Sequence, residues 1–166
     1  MSIVWRIYKI IGDLVRYFIG IDGEWVSSFY LEGLVHENIG CKVIFLDGRY
    51  KVPTIDVWRK IIKADILDKV KKWREDVFDC DNFALVFSAH CAEFYGVNTA
   101  GIALGNVYDA NTLELVGYHA YNVLVAKEDG KIVLYIYEPQ TDGLAKASKK
   151  TRLGDWIYET EKIIFG

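Results

Sequence analysis

Apolar positions recur along this chain with two periods, and each period predicts its own kind of element. Near the start, Ile3, Val4, Ile7, Ile11, Leu14, Val15 and Phe18 fall on one helical stripe, which predicts an amphipathic helix over residues 1–20. The stretch GIDGEW then breaks the pattern, and residues 25–35 are apolar without a period that separates helix from strand. In KVIFLDGRYKV, short apolar runs flank Asp47-Gly48, which predicts a hairpin with a tight turn at those two residues. After Pro53, Thr54 is a suitable N-cap for a stripe formed by Ile55, Trp58, Ile61, Ile62, Ile66, Val70 and Trp73, with a break near Ala64-Asp65. A further helix is expected from about Cys80 to Tyr95, stopped by Gly96. Strand patterns follow in TAGIALGNVY, LVGYHAYNVLVA and KIVLYIYE, and the tail from Thr151 is part strand. Helices first and an antiparallel sheet second is the α+β pattern, with N-terminal helices packed on a C-terminal sheet in one domain spanning residues 1–166.

Composition narrows the function classes. With 52% hydrophobic and 26% charged residues the chain is globular, long enough for one domain with a full core. A net charge of −3 and a pI near 5.6 give no electrostatic case for nucleic acid. Lys149, Lys150 and Arg152 form a small basic cluster that reads as solvated surface. Cys41, Cys80 and Cys91 are odd in number and contain no CxxC pair, which argues against a disulfide framework and a structural zinc site. Arg6, Lys9, Asp13 and Arg16 interrupt the first helix, so it does not read as a signal peptide. The expected location is cytoplasmic, with virion association left open. Docking on the core is the plainer role for that first helix, and a membrane-surface or protein contact is the alternative.

The chemistry concentrates around Cys80. With Asp79 as N-cap, Cys80 lies in the first helical turn, where free amides and the helix dipole stabilise a thiolate. Asp79 and Asp81 oppose that effect, and a small apolar residue in the core is the alternative role for this cysteine. His90 is ten residues further along the same helix, roughly 15 Å away, too far to touch the sulfur. His36 falls in a loop-like stretch that suits solvent. His119 lies within an apolar strand, either as a satisfied core residue or as a placed base. If KEDG makes an even-length turn at 127–130, both Glu138 and Gln140 share a sheet face with His119. A carboxylate or an amide is then available to orient the imidazole. Gln140 is the only glutamine in the chain.

A cysteine opening a helix, a histidine on a strand and an acid or amide on the next strand resemble the papain-like and transglutaminase-like cysteine proteinases. The nucleophile motif of the DCDxxA kind stands here as Asp79-Cys80-Asp81-Asn82-Phe83-Ala84, followed by His119-Ala120-Tyr121-Asn122 and Glu138-Pro139-Gln140. The similarity covers roughly residues 50–142. It implies a papain-like core with Cys80 as nucleophile, His119 as general base and acid, and Glu138 as the orienting residue. Two features depart from the family pattern. No glutamine precedes the cysteine to supply an oxyanion donor, leaving the Cys80 amide with Trp73, Arg74 or Asn82 as candidates. The third position is usually Asp or Asn, so Gln140 competes with Glu138. The resemblance implies a thiol hydrolase, a peptidase or amidase on a peptide or peptidoglycan-like amide, needing no cofactor and no metal. A transglutaminase-type acyl transfer and a non-catalytic binding or structural protein with a degenerate triad are the alternatives.

Overall fold

A computed structural model describes residues 21–166 together with Ile7, Ile10 and Leu14. Most of the expected N-terminal helix lies outside the described residues.

The chain runs β1 (Gly23–Ser27), α1 (Ser28–Asn38), β2 (Lys42–Phe45), β3 (Arg49–Pro53), α2 (Ile55–Ala64), α3 (Leu67–Val70) and α4 (Cys80–Tyr95). It continues through β4 (Ala100–Asp109), β5 (Leu115–Glu128), β6 (Lys131–Glu138), β7 (Gly143–Lys146), β8 (Thr151–Leu153) and β9 (Trp156–Phe165). A seven-stranded sheet has the order β2-β9-β4-β5-β6-β7, with β8 also on β9, and a separate ribbon pairs β1 with β3.

This corrects the expected α+β architecture of N-terminal helices on a C-terminal antiparallel sheet. Among the described residues strands outnumber helices nine to four, three of them precede α2, and the main sheet is mixed because β2 runs parallel to β9. The hairpin expected at Asp47-Gly48 is also absent. The two arms of KVIFLDGRYKV go to different sheets, and neither turn residue takes a positive φ. Tyr50 explains the divergence: its hydroxyl accepts the Asp47 N–H at 2.9 Å and donates to the Phe165 carbonyl at 3.1 Å. The corner is thereby tied to the end of β9, where the Leu46 N–H also meets the Phe165 carbonyl at 2.9 Å.

Local signals elsewhere act where the sequence puts them. Thr54 Oγ1 accepts the Val57 N–H to cap α2, and α2 ends at Asp65. Gly96, at φ 65°, closes α4 in the left-handed conformation. Asp129 and Gly130, at φ 49° and 75°, make the two-residue turn that joins β5 to β6.

β5 is buried on both faces. On one side Trp58, Ile61, Phe83 and Phe87 of α2 and α4 pack with Leu124, Ala126, Tyr135 and Tyr137. On the other, Leu31 and Val35 of α1 and Tyr50 and Val52 of β3 pack with Tyr121, Val123, Val125 and Phe165. Trp58 is fully buried, and its indole N–H finds the Val125 carbonyl at 2.8 Å, so the ring adds area without an unpaired donor. No helix among the described residues is long and apolar enough to cross a membrane.

Candidate functional site at the head of α4

Strand pairing between β5 and β6 ends at Asn122 opposite Tyr137. The preceding residues of β5 keep their β4 partners, Gly105 opposite His119 and Leu104 opposite Ala120, but have no β6 neighbour. The first residue of α4 fills that gap. The Cys80 sulfur accepts the Ala120 main-chain N–H and is hydrogen-bonded to the His119 ring. His119 Nε2 lies 2.7 Å from Glu138 Oε2, which leaves Nδ1 for the thiol. Continuing the register would put His119 opposite Gln140, so Glu138 reaches it as the diagonal neighbour, within range for a long side chain.

Glu138 is 5% exposed, and its carboxylate is held from several sides. The Tyr158 hydroxyl donates to Oε2 at 3.2 Å, while the Gln140 main-chain N–H and side-chain amide donate to Oε1 at 3.2 and 3.4 Å. Glu138, not Gln140, therefore contacts the imidazole, and Gln140 steadies the carboxylate.

The electrostatics separate the three thiols. The hydrogen bond from His119 lowers the Cys80 pKa; burial opposes it, the Ala120 N–H assists, and the Asp79 charge pushes weakly upward. Burial alone would disfavour a charged His119, but the bonds to Cys80 and Glu138 outweigh it and raise the imidazole to about 9. Burial lifts Cys41 to about 11 and Cys91 well above the usual thiol value. Asp81 hydrogen-bonds with Asp79, which raises the Asp81 pKa, and of the two carboxylates only Asp79 acts on the sulfur.

The other sequence candidates are dispersed. Asn82 Oδ1 accepts the Asp79 N–H at 3.2 Å and so takes part in the helix cap. Arg74 is exposed and closes a small turn with Phe78. His90 pairs with buried Asp65 at 2.7 Å, and His36 is exposed on α1. Among the described residues no cluster of three His, Cys, Asp or Glu side chains is placed to hold a metal.

Beside the trio opens a cleft of about 850 Å³, which meets it at His119 and Glu138. Its walls are the β4–β5 hairpin end, the corner after β6 and the turn before β9, together with Trp73. Trp73, Tyr118 and Trp156 line it while remaining 53%, 57% and 40% exposed. Tyr118, Trp156 and Tyr158 were not singled out from the sequence. The signal that could have found the first two is an aromatic residue close to the end of a strand, by its turn.

The site is therefore concave, edged by exposed aromatic rings and built from hairpin ends of a strand-rich fold. Residues 50–144 match the agglutinin C-terminal family, more than half of the chain, and the chain belongs to that family. Among solved structures, PSL1a in complex with E64 is 25% identical with a TM-score of 0.61, over 85% of this chain and 51% of that one. The Polyporus squamosus lectin bound to the human-type influenza-binding epitope Neu5Acα2-6Galβ1-4GlcNAc is 22% identical with a TM-score of 0.60, over 85% and 49%. The chain thus spans about half the length of these structures. No curated protein matches it.

These findings replace the papain-like/transglutaminase-like identification with the agglutinin C-terminal family, and the papain-like core with the fold of the lectin neighbours. The thiol hydrolase reading and its peptide or peptidoglycan-like amide partner fall with it, since the family the chain belongs to is an agglutinin one. The physical reason for the misreading is that a helix-borne thiol beside a strand-borne imidazole is a local arrangement that recurs on unrelated folds. Three short stretches carried that resemblance and did not specify the sheet around them.

Proposed function

We propose that the protein binds carbohydrate, in the cleft bordered by Trp73, Tyr118 and Trp156. The observation that carries this is the set of exposed aromatic rings around a concave site that also presents Gln140, Thr141 and Asp155. A pyranose offers an apolar C–H face for a ring to stack on and hydroxyls that pair with carboxylate and amide groups. Membership of the agglutinin C-terminal family and the likeness to a named lectin support the same class. Because that lectin is about twice as long as the matched region, the test belongs on this chain itself. A panel of immobilised glycans, including the sialylated epitope, should give at least one ligand, and Trp156→Ala or Tyr118→Ala should weaken it tenfold or more. Folded protein that retains no glycan on the panel overturns the reading.

A second reading is favoured by the thiol's surroundings. Cys80 is a nucleophile whose proton His119 accepts, with Glu138 fixing the ring and its tautomer. Mass-spectrometric labelling with iodoacetamide should modify Cys80 below the pH at which Cys41 and Cys91 react, and His119→Ala should slow it. E64, the compound in the PSL1a complex, should be tried as a protecting ligand in the same assay. Equal labelling of all three thiols removes this reading and leaves the glycan site untouched. The three cysteines are free, which supports a reducing, cytoplasmic setting.

A further inference from the structure

Asn122 is fully buried between α4 and the sheet, and its side chain is used one-sidedly. Nδ2 donates to the Ala84 carbonyl of α4 at 3.0 Å and to the Gly101 carbonyl of β4 at 3.2 Å. Oδ1 is buried with no hydrogen-bond partner. An orphaned buried acceptor costs on the order of 1–3 kcal/mol, so an apolar residue of similar size would suit this position better if packing were its only task.

The spacing suggests another task. Ala84 lies four residues after Cys80, a rise of about 6 Å along a helix. Asn122 lies two residues after Ala120, about 6.7 Å along a strand. The bond between Asn122 and Ala84 therefore fixes α4 at the height where the Cys80 sulfur faces the Ala120 N–H and the His119 ring. A second tie, from Ser88 Oγ to the Ala100 carbonyl at 2.7 Å, holds α4 one turn further from the thiol.

We infer that Asn122 is a positioning residue: its amide clamps α4 to β4 and β5 so that the Cys80 thiol sits against the His119 imidazole. The inference rests on the activated-thiol reading and goes beyond it, because Asn122 touches neither group. Its counterpart for comparison is Ser88, which anchors the same helix without setting the first turn.

The experiment compares wild type, Asn122→Leu and Ser88→Ala by the pH profile of iodoacetamide labelling at Cys80, with thermal melting as a check on folding. Leu removes both bonds and the orphaned oxygen together. Asn122→Leu should keep a cooperative melt while Cys80 labelling at about pH 6.5 falls roughly tenfold, the change expected when a thiol pKa rises by one unit. The His119 imidazole, followed by NMR, should titrate lower than in wild type. Ser88→Ala should lower the melting temperature and leave the labelling profile in place. If Asn122→Leu does not fold, Asn122→Ser, too short to reach Ala84, takes its place with the same expected loss. A folded Asn122 variant that labels like wild type overturns the inference. An ordinary thiol profile in wild type itself instead overturns the activated-thiol reading on which it rests.

Discussion

Glu138 takes donors from an imidazole, a phenol, a main-chain amide and a primary amide, and that saturation is what lets a carboxylate sit buried under His119. Its effect on pH behaviour depends on Cys80. His119 rises from an unfolded value near 6.5 to about 9, so its contribution to stability is complete below about 6.5 and is lost as pH climbs through 9. Cys80 is lowered from an unfolded value near 9, so its contribution is complete above that value and is lost as pH falls. Between the two unfolded values the contributions run in opposite directions: that of His119 shrinks as pH rises and that of Cys80 grows. The two slopes oppose each other there. Cys80→Ser removes one slope and leaves the other. Urea denaturation of wild type and Cys80→Ser at about pH 6.5 and pH 8.5 should show the variant falling further behind at the higher pH. A gap that stays constant would mean that the two groups are not coupled in the folded protein.

At the level of elements, β4 sets the floor under the trio. Gly105 lies directly opposite His119, at a register shift where β9 crowds in. A Cβ there would lie 2.1 Å from the Glu159 carbonyl oxygen, a main-chain atom that cannot step aside cheaply. Gly105→Ala should destabilise the fold by about 3 kcal/mol, as for other overpacked sites, and should slow Cys80 labelling by shifting the strand behind His119. Gly117, two residues from His119 on the same hairpin, has open space around its missing Cβ, and Gly117→Ala should be close to neutral in the same denaturation assay. The caps at Thr54 and Gly96 and the Asp129-Gly130 turn were legible in sequence because each depends on a few adjacent residues. The corner at Asp47-Gly48 was not. Its shape is set by Tyr50 reaching Phe165, 115 residues away, and no local pattern encodes that contact.

For the whole molecule, the meeting of Cys80, His119 and Glu138 was legible because it follows from one helix start, one strand alternation and one two-residue turn. The surrounding sheet was not, because the partners of β2, β3 and β9 are chosen by long-range packing. The cleft was missed for the same reason: Trp73, Tyr118 and Trp156 come from three separated stretches that only the folded sheet brings to one rim. That sheet also has a consequence for how the chain becomes a protein. Strand β9 lies between β2 and β4, so β2 has no partner until residues 162–165 arrive. During synthesis, a chain that has reached residue 150 still carries β2 without its native strand partner. Such late, distant closure slows folding and leaves that strand open to other chains until β9 has been made.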